Sequence, residues 1–234
     1  MTHKRNCLNE KFDTDKNQDY RQNYNKYFSH LRNKRITLLE LGVYKGGSLL
    51  MWGEYFKKGN IIGVDINNID LKLPKNVHME VGDQRDKEFL HNLSEKYTED
   101  GFDIIIDDAS HYANFTEASF LICFNQLLKP GGIYVIEDWG TGYWEDWPDG
   151  EIYKPSKEHL IHKLRKEYRG GKEYEAPKKK VYENHSLGMV GLVKQLIDEL
   201  AIQDIKHSNK ELENAITGIT GIFYSLGQVF IFKK

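Results

Sequence analysis

Five short apolar runs alternate with segments of helical periodicity, and this alternation constrains the fold most strongly. The runs are Ile36 to Leu41, Asn60 to Ile66, Val77 to Val81, Phe102 to Ile106 and Ile133 to Ile136. Continuous apolar strands separated by helices are typical of a parallel sheet that is covered on both faces. The pattern therefore predicts an α/β fold with a doubly wound, mostly parallel sheet.

Two final runs extend this sheet. Ile219 to Tyr224 and Val229 to Phe232 flank the turn residues Leu226 and Gly227, which predicts an antiparallel hairpin at the sheet edge. The sheet then has seven strands. Before the fifth run, Asn114 with Glu117 three residues later predicts a capping box at a helix N-terminus.

The chain divides by pattern into three parts. Residues 1–34 form an N-terminal helical cap, because Tyr20, Tyr24 and Phe28 fall at helical spacing. Residues 35–139 and 187–234 form the core. Residues 140–186 interrupt the pattern as a basic insertion with aromatic residues at its edge: Lys154 to Lys180 carries ten Lys or Arg against four Glu. We expect this insertion to be a substrate lid, with a helix over Ser156 to Tyr168.

Composition excludes several classes of protein. With 33 Lys and Arg against 35 Asp and Glu, the net charge of −2 argues against a dedicated nucleic-acid coat. The apolar runs are too short for a membrane span. The two cysteines, Cys7 and Cys123, have no metal or redox spacing. We expect a cytoplasmic protein whose partner is a small molecule, with no nucleic acid and no membrane.

The first three strand ends carry residues suited to an adenosine cofactor. Glu40 precedes the glycine-rich turn Gly42 to Ser48, where a carboxylate repels a diphosphate and suits a cationic ligand. Asp65 can accept the ribose hydroxyls, and Asp83 with Gln84 can receive the adenine amine. Each feature alone is common in α/β loops, but the three in order predict S-adenosylmethionine.

The fourth and fifth strand ends carry acidic clusters. Asp108, Glu137 and Asp138 should converge, because neighbouring parallel strands end at the same edge of the sheet. Three close carboxylates need a compensating cation, and an oxygen donor set without Cys favours Mg²⁺, or Mn²⁺ or Ca²⁺, over zinc. His111, three residues after Asp108, can accept the proton of a metal-bound sugar hydroxyl.

These residues stand in motifs that resemble the macrocin and mycinamicin sugar O-methyltransferases, a group that includes rhamnosyl O-methyltransferases and cephalosporin hydroxylase-like proteins. The resemblance covers roughly residues 12–144 and resumes at Gly191 to Asp198. It is carried by Thr14-Asp15-Lys16, Leu39-Glu40-Leu41-Gly42-Val43, Gly47-Ser48, Met51-Trp52, Gly63-Val64-Asp65, Gly82-Asp83-Gln84, Ile106-Asp107-Asp108-Ala109-Ser110-His111 and Pro130-Gly131-Gly132-Ile133-Tyr134-Val135-Ile136-Glu137-Asp138.

The resemblance implies a Rossmann-like class I methyltransferase fold and a metal-dependent O-methyltransferase. It implies Asp108, Glu137 and Asp138 as metal ligands and His111 as the general base. The residues expected to line the cofactor are Glu40, Gly42, Val43, Tyr44, Gly46, Gly47, Ser48, Asp65, Ile66, Asp83, Gln84 and Asp107.

The acceptor is the open part of this interpretation. Residues 147–186 lack the family landmarks, and Ala109 stands where the family often has Gly. Trp139, Tyr143, Trp144 and Trp147 can stack on a sugar face or simply pack a loop. Two other functions remain open: an NAD(P)-dependent oxidoreductase, and a non-catalytic partner subunit that binds S-adenosylmethionine. The aromatic N-terminal helix is also suited to a subunit contact in a homo-oligomer.

Overall fold

A seven-stranded sheet lies at the centre of the computed structural model, which describes residues 12–144, 146–151, 187–202 and 218–234. Its strands lie in the order β3-β2-β1-β4-β5-β7-β6. They are β1 Thr37–Leu41, β2 Asn60–Asp65, β3 Val77–Val81, β4 Phe102–Asp107, β5 Leu128–Glu137, β6 Ile219–Tyr224 and β7 Gln228–Lys233. Strands β1 to β5 are parallel, and the hairpin β6–β7 adds antiparallel to β5. The predicted doubly wound sheet with its C-terminal hairpin is confirmed.

Helices cover both faces of the sheet. They are α1 Gln18–Phe28, α2 Gly47–Tyr55, α3 Lys87–Tyr97, α4 Ala113–Ile122 and α5 Gly188–Ile202. A π-helical turn, Cys123–Leu127, continues α4 up to β5. Side chains at the N-termini fix two of these helices: Asn17 accepts from the Tyr20 amide of α1, and Asp86 accepts from the Phe89 amide of α3. Among the described residues, no helix has the length and apolar character needed to cross a bilayer.

Alternation along the strands divides the core into two layers. Leu38 and Ile104 face the layer that contains α1 and α2, whereas their neighbours Leu39 and Ile105 face the layer that contains α3, α4 and α5. Successive side chains of a strand point to opposite faces, so strands that are apolar at every position are buried on both sides. The sheet edge where β1, β4 and β5 end is therefore held rigidly from both faces.

The aromatic face of α1 packs within the chain. Tyr24 contacts Trp52 of α2 edge to face with ring centroids 4.8 Å apart, and Phe230 of β7 with centroids 5.5 Å apart. Phe28 lies in the same fully buried group. Because edge-to-face contacts add to the burial of large rings, α1 is anchored beside β5 and β7.

The predicted capping box at Asn114 is wrong. The N-cap of α4 is Tyr112, whose side chain makes no capping bond. The amide of Ala113 instead donates to Asp149 Oδ2 at 2.9 Å. A residue distant in sequence thus replaces the local cap. The predicted helix over Ser156 to Tyr168 and the basic stretch Lys154 to Lys180 lie outside the described residues.

Candidate active site

The glycine-rich turn after β1 is packed tightly against its neighbours. Gly42 has φ +82°, and an added Cβ would overlap the backbone of Asp108 and Ala109. A Cβ on Gly47 would overlap the carbonyl of Asp13. Asp65 Oδ2, at the end of β2, accepts from the amides of Val43 at 3.1 Å and Tyr44 at 3.2 Å. The end of β2 therefore fixes the turn of β1.

Several predicted cofactor residues lie at the surface of this edge. The side chains of Tyr44 and Ile66 are exposed. Asp83 also reaches solvent and pairs with Arg85, whose Nη2 lies 2.6 Å from Asp83 Oδ2. The hydrogen bond from Arg85 holds the pKa of Asp83 below its ordinary value. These groups are accessible to a ligand that lies across the ends of β1, β2 and β3.

Gln84 and Asp107 lie behind this surface in a buried network. Asp107 Oδ2 accepts from Ser119 Oγ at 2.5 Å and Tyr134 Oη at 3.0 Å. Gln84 Nε2 lies 3.3 Å from Asp107 Oδ1, and Gln84 Oε1 accepts from the amide of Ser110 at 3.2 Å. Burial raises the pKa of Asp107 despite these donors. The network holds the loop that follows β4.

Glu40 is fully buried at the end of β1. Its Oε2 accepts from Ser48 Oγ at 2.7 Å, and its Oε1 accepts from Trp52 Nε1 at 3.2 Å. Lys16 Nζ lies 3.4 Å from the same Oε1. Burial raises the pKa of Glu40 while Lys16 opposes the shift. Glu40 thus connects the glycine turn with the acidic cluster.

The ends of β4 and β5 bring three side chains together as a candidate metal site. One ligand atom each from Asp108, His111 and Asp138 lies within 4.8 Å of the other two. His111 Nε2 is 3.8 Å from Asp108 Oδ1 and 3.7 Å from Asp138 Oδ2. His111 and Asp138 both have positive φ, 50° and 52°. Such backbone conformations are strained for non-glycine residues and concentrate at functional sites.

Glu137, the third predicted metal ligand, faces the N-terminal segment. Its Oε2 accepts from Lys16 Nζ at 2.8 Å, and its Oε1 accepts from the hydroxyl of Tyr24. Lys16 is almost completely buried and also donates to Asp108 Oδ2 at 2.6 Å. The structure thus places Glu137 outside the group of Asp108, His111 and Asp138, with both its oxygens hydrogen-bonded.

Sequence reasoning missed Lys16, Tyr20 and Tyr24 as residues of the site. Lys16 precedes α1, and the two tyrosines follow on one face of that helix. Their spacing of four, shared with Phe28, was the available signal. The spacing predicts a helical cap, and Lys16 stands in the resemblance motif Thr14-Asp15-Lys16, but neither pattern indicates that the lysine is buried among carboxylates.

The buried charges shift one another strongly. Burial raises the pKa of Asp108 to about 7 and that of Glu137 to about 8, although Lys16 opposes both shifts. Burial by itself lowers the pKa of Lys16, but the carboxylates of Asp108, Glu137 and Glu40 hold it well above its ordinary value. The cluster therefore combines a charged lysine with carboxylates that take up protons near neutral pH.

The loop that carries His111 is braced by the segment after β5. The carbonyl of His111 accepts from Thr141 Oγ1 at 3.1 Å and from Trp147 Nε1 at 3.0 Å. Asp149 Oδ2 accepts from the amides of Ala113 at 2.9 Å and Met189 at 2.8 Å. The same oxygen of Asp149 thus caps α4 and bonds the first turn of α5. Thr141 and Trp147 therefore hold the backbone of His111, and Asp149 holds the start of the helix that follows it.

The four aromatic residues proposed for sugar stacking fall into two pairs. Trp139 Nε1 donates to the carbonyl of Ser225, and Trp147 Nε1 donates to that of His111, so both make structural contacts. Tyr143 and Trp144 are exposed at 40% and 52%. Only the second pair presents a large part of its aromatic surface to solvent.

Known sugar O-methyltransferases match the chain in sequence. It is 41% identical over 128 residues to mycinamicin VI 2''-O-methyltransferase of Micromonospora griseorubida. This alignment covers 52% of this chain and 31% of that protein. It is 32% identical over 189 residues to demethylmacrocin O-methyltransferase of Streptomyces fradiae, which covers 78% of this chain and 40% of that protein. The chain is a homologue of the macrocin and mycinamicin sugar O-methyltransferases. This confirms the resemblance that the motifs indicated.

The structural comparison agrees with the sequence matches. The methyltransferase MycE from the mycinamycin biosynthetic pathway, solved in complex with Mg and SAH, aligns with a TM-score of 0.69 at 30% identity. The alignment covers 92% of this chain and 49% of MycE. A further MycE structure also contains mycinamycin VI. The Rossmann-like methyltransferase fold is confirmed.

The matches also define the extent of the homology. The chain spans less than half the length of the curated relatives and of MycE. No protein-family model matches the chain.

Proposed function

We propose that the protein is a class I, Mg²⁺-dependent O-methyltransferase that transfers a methyl group from S-adenosylmethionine to a sugar hydroxyl. The observation that carries this proposal is the convergence of Asp108, His111 and Asp138 beside the glycine-rich turn. The proposed cofactor site at the ends of β1, β2 and β3 thus adjoins the group of Asp108, His111 and Asp138 at the ends of β4 and β5. The homology to sugar O-methyltransferases supports the same conclusion.

The cofactor lies across the ends of β1, β2 and β3 in this proposal. Asp65 and Asp83 are the accessible carboxylates for the ribose and adenine, and Tyr44 and Ile66 offer exposed apolar surface beside them. Gly42 and Gly47 admit close backbone contact at the turn. Glu40, Gln84 and Asp107 are buried and hydrogen-bonded, so they shape the site from behind.

The acidic cluster fits a divalent cation by the chemistry of its donors. Asp108, Glu137 and Asp138 supply the oxygen atoms that Mg²⁺ and Mn²⁺ prefer. Glu137 can still act as a metal ligand while it accepts these hydrogen bonds, because each carboxylate oxygen has two lone pairs. When bound, Mg²⁺ acts as a Lewis acid that makes the hydroxyl proton of the acceptor easier to remove.

His111 is the proton acceptor in the proposed reaction. The acceptor hydroxyl gives its proton to His111 Nε2, and its oxygen forms a bond to the methyl carbon of the sulfonium. The bond between that carbon and sulfur breaks, which leaves neutral S-adenosylhomocysteine. Asp108 and Asp138, 3.8 and 3.7 Å from Nε2, stabilise the protonated imidazole.

The acceptor is a sugar or glycoside in this proposal. Tyr143 and Trp144 follow β5 and present exposed aromatic surface, and aromatic rings pack well on sugar faces. The ring of Trp144 contacts that of Trp147, which in turn lies beside the imidazole of His111. The complex of MycE with mycinamycin VI supports a glycoside. Residues 140–186 are proposed as the lid that selects it.

The test is a methyl-transfer screen with labelled S-adenosylmethionine and Mg²⁺. Free sugars, nucleotide sugars and glycosides are offered as acceptors, and NAD(P) binding is measured in parallel. We expect label on a sugar oxygen and no NAD(P) binding. Binding of NAD(P) without S-adenosylmethionine would overturn the proposal in favour of an oxidoreductase.

The metal requirement has its own test. We expect excess chelator to abolish methyl transfer and added Mg²⁺ to restore it, because the acidic cluster needs a compensating cation. The measurement is the initial rate before chelation, after chelation and after Mg²⁺ is returned. A full rate in excess chelator contradicts the metal role.

A further inference from the structure

Tyr20 of α1 makes a short contact with the candidate metal site. Its hydroxyl donates to Asp138 Oδ1 at 2.5 Å, and its side chain is buried at 7% exposure. It lies between Lys16, which bonds Asp108 and Glu137, and Tyr24, which bonds Glu137. The N-terminal segment thus holds every carboxylate of the cluster.

The hydrogen bond of Tyr20 gives the two oxygens of Asp138 different partners. Oδ1 is held by the phenol, whereas Oδ2 faces His111 Nε2 at 3.7 Å. Asp108 shows the same division, since Lys16 holds Oδ2 and Oδ1 faces His111 at 3.8 Å. In both residues, one oxygen is anchored and the other is directed toward the common centre.

The backbone around Asp138 is shaped for this contact. Asp138 has φ 52°, and its amide donates to the carbonyl of Gly227 at 2.6 Å. Gly227 has φ +71°, and an added Cβ would overlap the hydroxyl of Tyr20. A strained conformation persists only where its surroundings enforce it. The turn between β6 and β7 therefore leaves room for Tyr20 beside Asp138.

Anchoring of α1 does not require this hydrogen bond. The rings of Tyr24 and Phe28 are fully buried against Trp52 and Phe230, which attaches the helix through apolar contacts. The phenol of Tyr20 instead bonds Asp138, which directly follows β5 and has a left-handed backbone conformation. A role in orienting Asp138 explains that placement.

We propose that Tyr20 is a positioning residue that fixes Asp138 so that Oδ2 faces His111 and is oriented to hold a metal ion. This inference rests on the proposed function, since it assigns Asp138 to the metal. Groups that hydrogen-bond metal ligands typically change metal affinity by about 10- to 100-fold when removed. Tyr20 thus contributes to metal affinity without touching the metal.

The experiment compares Mn²⁺ binding to the wild-type chain, Tyr20→Phe and Tyr97→Phe by titration calorimetry. Tyr97 is a matched control, because its hydroxyl donates to Glu80 Oε1 at 2.5 Å on the β3 side of the sheet. We expect Tyr20→Phe to raise the Kd by about 10- to 100-fold. We expect Tyr97→Phe to bind as the wild type does.

Two further variants separate positioning from packing. Gly227→Ala retains the phenol but displaces it, and we expect weaker Mn²⁺ binding in this variant also. In an Asp138→Asn background, Tyr20→Phe should raise the Kd for Mn²⁺ little further, because Tyr20 acts through the carboxylate that this background lacks. Thermal unfolding is measured for each variant, since a purely structural role lowers Tm and leaves the Kd unchanged.

Each result decides a different claim. If Tyr20→Phe binds Mn²⁺ like Tyr97→Phe, the positioning role is refuted while the metal site stands. If the wild-type chain itself binds no Mn²⁺, the proposed metal site fails, and the inference fails with it.

Discussion

At the scale of single residues, the site depends on how buried charges share one small volume. Lys16 lies among Glu40, Asp108 and Glu137, and Asp138 is one residue further along the chain. One lysine does not balance four carboxylates. Ion pairs of this kind lose much of their Coulomb energy to desolvation, so they are poor sources of stability and good sources of fixed geometry.

The pKa shifts predict how stability depends on pH. Burial raises the pKa of Asp108 from 3.8 to about 7 and that of Glu137 from 4.5 to about 8. The folded state therefore binds these protons more tightly than the unfolded state, and stability falls as pH rises through 7 and 8. In chelator, we expect Tm to decrease from pH 6 to pH 9, and Mg²⁺ to reduce the decrease.

Glu137→Gln is the control for this pH dependence. The variant removes the carboxyl with the higher pKa of the two, so its Tm should change less over the same range. A Tm that stays constant in chelator, or that rises with pH, would show that these carboxyls do not titrate as described.

At the scale of elements, the segment after β5 connects the loop that carries His111 with two helices. Asp149 is buried, and one of its oxygens serves the amides of both Ala113 and Met189. Trp147 and Thr141 bond the carbonyl of His111. Residues at the start of the predicted insertion therefore contribute directly to the geometry of the site.

This arrangement predicts an unequal cost for two similar substitutions. Asp149→Ala leaves the buried amide of Met189 without a partner, at a cost of about 1–3 kcal/mol, and also removes the acceptor of the half-buried amide of Ala113. Asp86→Ala removes one cap at the surface, which costs about 1 kcal/mol. Urea unfolding should show a larger loss for Asp149→Ala, and equal losses would refute the double role of Asp149.

These elements show why some features were predictable from sequence and others were not. The strands were found because continuous apolar runs such as Phe102 to Ile106 require burial on both faces. The cap of α4 was predicted wrongly at Asn114, because the group that serves it is Asp149, 36 residues from Ala113. Local sequence patterns identify helices and strands, whereas hydrogen-bond partners that are distant in sequence depend on tertiary packing.

At the scale of the whole molecule, the topology brings the site together. The order β3-β2-β1-β4-β5-β7-β6 places the ends of β1, β4 and β5 side by side. Sequence reasoning could therefore place Glu40, Asp108 and Asp138 on one edge. It could not place Lys16 and Tyr20 there, because the path of α1 across that edge is set by the aromatic contacts with α2 and β7.

The rate of methyl transfer by His111→Ala tests the central claim most directly. The acceptor is the one identified in the screen, and binding of S-adenosylmethionine is measured alongside. We predict that kcat falls by about 10²- to 10⁴-fold, the usual contribution of a general base, while the Kd for S-adenosylmethionine is unchanged. A kcat within twofold of the wild type would contradict the account, because the cluster at the ends of β4 and β5 would then not carry the proton transfer.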